Sequence, residues 1–118
     1  MTDTAKVLCD FFSGFGWPAY AEDAIPASAK LPYITYSPVQ PDWQDAAILQ
    51  ARIWDRSTSY ADVNAKADQI AERIGEGLRI PVKHGFIWIN KGSPFAQVMP
   101  AGADIRVLYI NMVFQSLV

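Results

Sequence analysis

The residues of this chain that could carry out chemistry are few, and they do not cluster in the sequence. His84 is the only histidine and Cys9 is the only cysteine. A histidine can act as a general base or a metal ligand, but His84 follows Pro81-Val82-Lys83, which favours an ordinary residue at a strand edge. Cys9 falls on the apolar stripe of a predicted helix, so we expect a buried thiol and not a nucleophile. A zinc site would need carboxylates to complete it, and no candidate ligands show such a spacing, so the sequence predicts no metal site.

Two short segments contain residues that could bind phosphate or act in catalysis only if the backbone held them in a specific geometry. Ser13-Gly14-Phe15-Gly16 lacks the Lys-Ser/Thr or the third glycine of phosphate-binding loops, and it is typical of a helix end followed by a turn. Asp42-Trp43-Gln44-Asp45 contains two acids, but a catalytic pair needs a rigid frame. We interpret this segment as a solvated loop tip in which Trp43 can anchor a partner. No serine stands in a nucleophile-elbow context, so we predict no catalytic residue and no cofactor.

The composition limits the class of protein. The chain has 118 residues, 51% hydrophobic and 19% charged, with a formal net charge of −2. These values predict a single domain over residues 1–118 with a real core. The ten basic residues are scattered, so neither DNA nor an anionic membrane is an expected partner. A single cysteine excludes an intrachain disulfide framework, and the N-terminus does not resemble a signal peptide. We therefore expect a soluble protein that folds in a reducing cytoplasm.

The first half of the chain predicts a short helix and two strands. Ala5, Leu8, Cys9 and Phe12 share one face at helical spacing. Residues 31–36 are rich in β-branched and aromatic side chains, which favours a strand. Residues 46–56 alternate in polarity and predict a second strand. The short connection between the two favours an antiparallel hairpin. Within the second strand, the inward-facing residues are expected to be Leu49, Ala51 and Ile53.

The second half predicts one well-defined helix and three strands. Ser59 and Asp62 resemble a capping box. The apolar stripe that follows has helical spacing and ends before Gly75 and Gly77; it consists of Val63, Ala67, Ile70, Ile74 and Leu78. Strands are predicted at 85–90, 95–99 and 104–115, with turns at 91–94 and 100–103. The last strand is apolar on both faces, which indicates a central position.

This order of elements predicts an α+β fold. We expect a mostly antiparallel sheet with one main amphipathic helix packed across it and a short N-terminal helix. The outward face of the second strand then carries the most plausible contact surface. Gln50, Arg52 and Trp54 share that face, and together with Trp43 they are the predicted subunit-interface residues, because tryptophan is enriched at interface hot spots.

Several segments of the chain resemble one known family. They occur in a fixed order along most of the sequence from Tyr20 onward: residues 20–26, 31–36, 59–62, 92–97 and 106–111. In this order the segments are similar to the tail terminator, or tail completion, proteins of long-tailed bacteriophages. The motifs are structural, so the resemblance transfers no binding or catalytic residue.

The resemblance implies a virion protein that is not an enzyme and needs no cofactor. The expected assembly is a homo-oligomeric ring, commonly a hexamer, at the head-proximal end of the tail tube. Such a ring stops tube polymerisation and joins the tail to the head. The implied partners are further copies of the chain, the tail tube protein and the head–tail connector protein. DNA passes through the lumen without specific binding, and the expected location is the virion tail, assembled in the host cytoplasm.

Three alternatives stay open at this point. Another head–tail joining protein or minor capsid (neck) protein would have a similar sequence pattern. A small hydrolase using His84 belongs to a different class. A regulatory binding module with a stable pocket and a small partner is the third.

Overall fold

Alternating apolar residues build the sheet at the centre of this protein. The structure is a computed structural model that describes residues 2–37, 47–82, 85–99 and 101–117. The elements in chain order are α1 (Thr2–Ser13), β1 (Ala19–Ala21), β2 (Tyr33–Tyr36), β3 (Ala47–Arg56), α2 (Ala61–Ile74), β4 (Leu78–Val82), β5 (Gly85–Met99) and β6 (Ile105–Leu117).

The six strands form one mixed sheet in the order β1-β2-β3-β6-β5-β4. β1 runs parallel to β2, and every other neighbouring pair is antiparallel. The predicted hairpin is confirmed, because Tyr33 pairs with Trp54 and Tyr36 pairs with Ala51. The predicted central position of the last strand is also confirmed, since β6 lies between β3 and β5.

Both helices pack on the same side of this sheet, and we call that side the covered face. Phe12 of α1 stacks on Tyr36 of β2 with ring centroids 4.9 Å apart. α2 packs against β3, β5 and β6. The three predicted inward-facing residues of β3 are fully buried there: Leu49, Ala51 and Ile53. The hydrophobic effect of this burial is the main stabilising contribution to the fold.

The main helix follows the first four residues of its predicted stripe but not its predicted cap, and the fifth stripe residue, Leu78, begins β4 instead. Its buried residues are Val63, Ala67, Ile70 and Ile74. The Ser59 hydroxyl accepts a hydrogen bond from the Ala61 N–H at 3.1 Å, whereas the residue at the cap position is Tyr60, which makes no side-chain cap bond. The helix ends where the N–H of Gly75 donates to the Ala71 carbonyl. The chain turns there because Gly75 adopts a φ of 58°, which glycine tolerates without strain.

The predicted fold class is wrong. The sheet dominates the described chain and is mixed, and two helices of 12 and 14 residues share the covered face in place of one main helix. α1 is a second principal helix of the hydrophobic core, because its residues Leu8, Phe11 and Phe12 are all buried. The short strands β1 and β4 were not predicted, since Pro18 precedes β1 and Pro81 lies inside β4, where a proline usually argues against a strand.

The predicted turn at residues 91–94 is also wrong. β5 continues through it as one 15-residue strand, and the register shifts between Lys91, opposite Met112, and Ala96, opposite Ile110. Between these two pairs, four residues of β5 lie opposite one residue of β6, Asn111, so the bulge is larger than the usual two-to-one kind. Gly92 permits β5 to approach β6 closely within the bulge, because a Cβ at that position would lie 2.9 Å from the backbone oxygen of Asn111.

The expectation of a buried Cys9 thiol is wrong as well. Cys9 is exposed, and its sulfur lies 3.9 Å from the hydroxyl of Ser13, one helical turn away. The buried face of α1 is rotated toward Phe11, because this ring packs edge-on against Phe12 at 4.9 Å and Phe15 at 5.4 Å. Phe11 and Phe12, with Leu8, are the buried residues that define the inner face of the helix.

Candidate interaction surface

The second side of the sheet has a different character, and we call it the open face. It consists of the strand positions that alternate with those facing the helices, and two of its members, Thr35 and Val107, are themselves buried. In the described part of the chain both helices lie on the covered face, so strand side chains form most of the open face, with Glu22 added from the turn after β1. Its central members on β2, β3 and β6 are Tyr33, Thr35, Ile48, Gln50, Arg52, Trp54, Val107, Tyr109, Asn111 and Val113.

Arg52 stands at the centre of the open face. Its guanidinium pairs with the Glu22 carboxylate at 2.7 Å, and both side chains are about one third exposed. It also lies 5.2 Å from the centre of the Tyr109 ring, its cross-strand neighbour on β6. The Nε atom of Arg52 is buried and has no hydrogen-bond partner among the described residues. This N–H can therefore donate one more hydrogen bond. Leaving a buried donor unpaired costs free energy, so an added acceptor there would be stabilising.

A second polar link ties the open face to the β5 bulge. The Gln50 amide donates to the Asn111 side-chain oxygen at 3.4 Å. The Asn111 amide then donates to the Pro94 carbonyl at 3.2 Å, within the bulge. Side-chain bonding thereby replaces the ladder hydrogen bonds that the register shift removes, and it holds the bulge against β6.

Aromatic side chains occupy the β1–β2–β3 end of the open face. The Trp54 indole donates to the Thr35 hydroxyl at 3.0 Å, and the Thr35 side chain is buried beneath it. The Tyr33 ring lies 6.1 Å from Trp54 and 5.8 Å from Tyr20. A buried tryptophan normally finds a partner for its N–H, and this bond fixes which surface of the indole points outward.

A pocket of about 580 Å³ adjoins these rings. Its lining combines apolar and aromatic walls with two cations: Ala29, Lys30, Leu31, Tyr33, Trp54, Arg56 and Ile105. The volume lies within the usual range for ligand pockets. Arg56 pairs with Asp104 at 2.7 Å, but both side chains are more than half exposed, so water competes with this ion pair and it contributes little. Lys30 has no ion-pair partner among the described residues.

Large apolar side chains are exposed at other points of the described chain. Ile48 at the start of β3 is 68% exposed, Trp88 on β5 is 37% exposed and Val98 near the end of β5 is 59% exposed. Trp88 lies 6.5 Å from the Phe86 ring, against which the guanidinium of Arg79 stacks at 4.2 Å. Single exposed apolar residues are ordinary, but aromatic and arginine side chains are the types enriched in interfaces.

The structure brings three of the four predicted interface residues together. Gln50, Arg52 and Trp54 occupy successive outward positions of β3, and each is half-buried because it already has an internal partner. Trp43 lies outside the described residues. Whether the other three contact a neighbouring subunit stays a prediction.

The sequence alone did not identify the partners of these residues. Glu22, Tyr109 and Asn111 belong to the same surface through strand register. The alternation of side chains along β6 already indicates which of its residues point outward. Pairing β3 with β6 in the correct register would then have located Tyr109 opposite Arg52. Glu22 carries no such signal, because it follows the unpredicted strand β1.

No candidate metal site is found within the described ranges. Among those residues, no group of three or more histidine, cysteine, aspartate or glutamate side chains could hold a metal ion. His84, the residue on which the hydrolase alternative depends, lies outside them. None of the helices described is long and apolar enough to cross a membrane.

These features define the class of the fold: a six-stranded mixed sheet with two helices on one face and an aromatic, polar surface on the other. No known sequence family and no curated protein sequence matches the chain. Among solved structures, a chain from the virion of a native gene transfer agent particle is similar, with a TM-score of 0.59 and 15% identity. The match covers 92% of this chain and 83% of that chain. At this identity the likeness establishes a shared fold.

Proposed function

We propose that this chain is a structural subunit of a phage-like virion, and that its role there is to terminate the tail tube. The observation that carries the proposal is the shared fold with a virion chain over 92% of this sequence. The sequence segments that resemble tail terminator proteins point to the same particle independently. In this role, copies of the chain form a ring at the head-proximal end of the tube, stop its polymerisation and join it to the head.

The open face supports an assembly role. Its aromatic rings, its central arginine and its half-satisfied polar groups are the composition expected of a surface that other subunits cover. Rings of identical copies use head-to-tail interfaces that close on themselves. The further partners proposed are the tail tube protein on one side of the ring and the head–tail connector protein on the other.

The net charge of −2 supports a lumen through which DNA passes without specific binding. Affinity for DNA depends on lysine and arginine contacts to phosphates. In this chain the described arginines on the sheet are engaged with acids, carbonyls or aromatic rings: Arg52, Arg56, Arg79 and Arg106.

Disruption of the gene in a strain that produces the particles tests this function. Loss of a terminator removes the stop signal, so we expect tubes of irregular, excessive length and heads without attached tails in negative-stain micrographs. Re-expression of the intact chain should restore uniform tails. Tubes of normal length beside unattached heads would indicate another neck protein, the runner-up function. Normal, infectious or DNA-transferring particles would overturn both.

A further inference from the structure

The free edges of the sheet differ in how well they are protected against pairing with another strand. An edge strand carries backbone N–H and C=O groups that no neighbouring strand pairs with, and proteins protect such edges with charge, proline or short length. β4 has this protection, because Arg79 and Pro81 lie among its five residues. β4 pairs only with residues 85–89 of β5, so the rest of β5 has no neighbour on that side among the described strands.

The end of β5 is a free edge without such protection, and we call residues 96–99 the β5 edge. These residues pair with β6 on one side, and in the described part of the chain none of them makes a backbone hydrogen bond outside that ladder. Their sequence, Ala-Gln-Val-Met, contains neither a charge nor a proline. Val98 is 59% exposed, although Leu108 opposite it is only 3% exposed. An exposed, uncharged edge of this kind favours the addition of another strand.

The side chains of the β5 edge alternate between the two faces of the sheet. Val98 lies opposite the core residue Leu108, so Val98 and Ala96 project to the covered face. Gln97 and Met99 alternate with them and project to the open face. An added strand therefore meets small and apolar side chains on the covered face, and an amide and a thioether on the open face.

β1 is the uncharged edge at the opposite end of the sheet. It pairs with β2 alone among the described strands, and its sequence is Ala19-Tyr20-Ala21. Both alanines pack against the core, whereas the Tyr20 ring lies on the open face, 5.8 Å from the Tyr33 ring. β1 is therefore small and apolar on the covered face and aromatic on the open face.

The two edges complement each other in length and in side chains. The three residues of β1 span about 10 Å and the four of the β5 edge span about 13 Å at the rise of a β-strand. In a joined sheet, the small side chains of both edges share the covered face, so Val98 packs beside the alanines. On the open face Tyr20 meets Gln97 and Met99, and aromatic rings pack favourably against thioethers. Neither strand brings a charge that the contact would have to desolvate.

We propose that the β5 edge of one copy pairs with β1 of the next copy, so that one sheet continues from subunit to subunit. The inference rests on the proposed ring-forming function and names the contact that builds the ring. Backbone hydrogen bonds supply the attraction, and the side chains of the two edges select the partner. Every copy has one edge of each kind, so the contact is head-to-tail and repeats until it closes. It leaves the open face available to the other subunits of the particle.

This head-to-tail pairing suits a ring better than a symmetric pairing of two β5 edges does. Two identical edges pair about a two-fold axis, which stops at a dimer and leaves β1 without a neighbour. A ladder limited to the three residues of β1 is weak by itself. In a closed ring the last contact is intramolecular, and its high effective concentration strengthens the whole assembly. We therefore expect assembly to rise steeply with protein concentration.

Single-cysteine variants test the contact. Cys9→Ser removes the only native thiol, and Ala21→Cys or Val98→Cys then places one thiol on one of the two edges. A bis-maleimide short enough to join only neighbouring strands should crosslink the two variants when they are mixed in equal amounts. Each variant alone should stay uncrosslinked, because the head-to-tail contact never brings two like edges together. Denaturing electrophoresis and peptide mass spectrometry identify the linked residues.

A matched control moves the thiol away from both edges. Ala65 lies on the exposed side of α2, and Ala65→Cys in the same background should crosslink with neither edge variant. The absence of a crosslink in the mixture at the highest soluble protein concentration would overturn the inference. Crosslinking of the Val98→Cys variant with itself would contradict it as well, because that result shows the symmetric pairing of two β5 edges.

A charge placed on the β5 edge provides a second readout. Val98→Lys introduces the residue that commonly protects free edges, and because this side chain is 59% exposed, the monomer should keep its fold in circular dichroism melting. Light scattering over a concentration series should show association at least about tenfold weaker than that of the unaltered protein. Ala65→Lys adds the same charge on α2 and should associate normally. Equal association of Val98→Lys and the unaltered protein would overturn the contact.

The two proposals fail in different ways. A chain that crosslinks through these edges but is absent from every particle would overturn the tail role and leave the contact intact. Particles that contain only the Val98→Lys variant and still have tails of normal length would overturn the contact and leave the tail role intact.

Discussion

The covered face and the open face of the sheet use the same strands for different purposes. On the covered face, helices α1 and α2 bury aliphatic and aromatic side chains completely, and only shape and apolar area matter. On the open face, aromatic rings alternate with charged and amide groups that satisfy each other in pairs. A face that is packed only by its own side chains and keeps a pocket and an under-satisfied arginine is suited to being covered by another subunit. The covered face therefore supplies most of the stability, and the proposed function assigns assembly to the open face.

The largest effect is expected on the covered face. Phe12 is fully buried and stacks on Tyr36, so Phe12→Ala should lower the free energy of unfolding by about 3–5 kcal/mol, because it removes apolar contacts and leaves a cavity. Urea unfolding followed by circular dichroism measures this. Ile48→Ala is the control at a residue 68% exposed, and it should change stability by less than about 0.5 kcal/mol. Equal losses from both variants would contradict the division between faces.

A smaller loss is expected where the open face is anchored. Thr35→Val removes the acceptor of the Trp54 N–H, and because Trp54 is half-buried, loss of this hydrogen bond should cost about 0.5–1.5 kcal/mol. Trp54→Phe removes the donor as well, so the double variant should lose less than the sum of the two single changes. A double-mutant cycle in urea measures this coupling. Strict additivity would show that the 3.0 Å contact contributes nothing to the fold.

Alkaline pH should weaken the covered face specifically. Burial raises the pKa of Tyr36 to about 12, and the adjacent Cys9 thiol and the Asp23 carboxylate add to the rise. The folded state thus holds this proton more tightly than the unfolded state, whose tyrosine has a pKa near 10. The stability that protonated Tyr36 contributes is fully present below pH 10 and is lost as pH rises toward 12. Denaturant titrations from pH 9 to 12 should show this decline, and Tyr36→Phe should flatten it. An identical decline in Tyr36→Phe would assign it to other groups.

The smallest stability effect is expected at the centre of the open face. Glu22→Gln weakens the ion pair between Glu22 and Arg52. Because both side chains are about one third exposed, the free energy of unfolding should fall by about 1 kcal/mol or less. Added salt should reduce the difference between the variant and the unaltered protein. The chemical denaturation midpoint at low and high salt is the measurement. A loss of several kcal/mol would mean that this face stabilises the monomer as strongly as the covered face does.

The sequence predicted the covered face well because its signals are local and periodic. The α2 stripe and the alternation of β3 and β6 are read from neighbouring residues, and the buried residues Leu49, Ile53 and Ile70 followed directly. Helix α1 was underestimated, because the predicted four-residue stripe did not include Phe11, which is buried. The exposed Cys9 follows from the same rotation.

The open face was predicted only in part, because it depends on which strands are neighbours. Gln50, Arg52 and Trp54 were recognised from alternation along one strand. Their partners come from β6 and from the segment after β1, at sequence separations of 61 residues for Asn111 and 30 for Glu22. The β5 bulge escaped detection for a related reason: Gly92-Ser93-Pro94 has turn composition, and only its pairing with β6 makes it a strand.

The most direct test of the account is a high-resolution electron cryo-microscopy reconstruction of the tail end of the particles that contain this chain. We expect a closed ring of copies at the head-proximal end of the tube, with the open face of each copy buried by its neighbours. A reconstruction in which the chain is absent from the particle, or in which its open face points to solvent, would contradict the account.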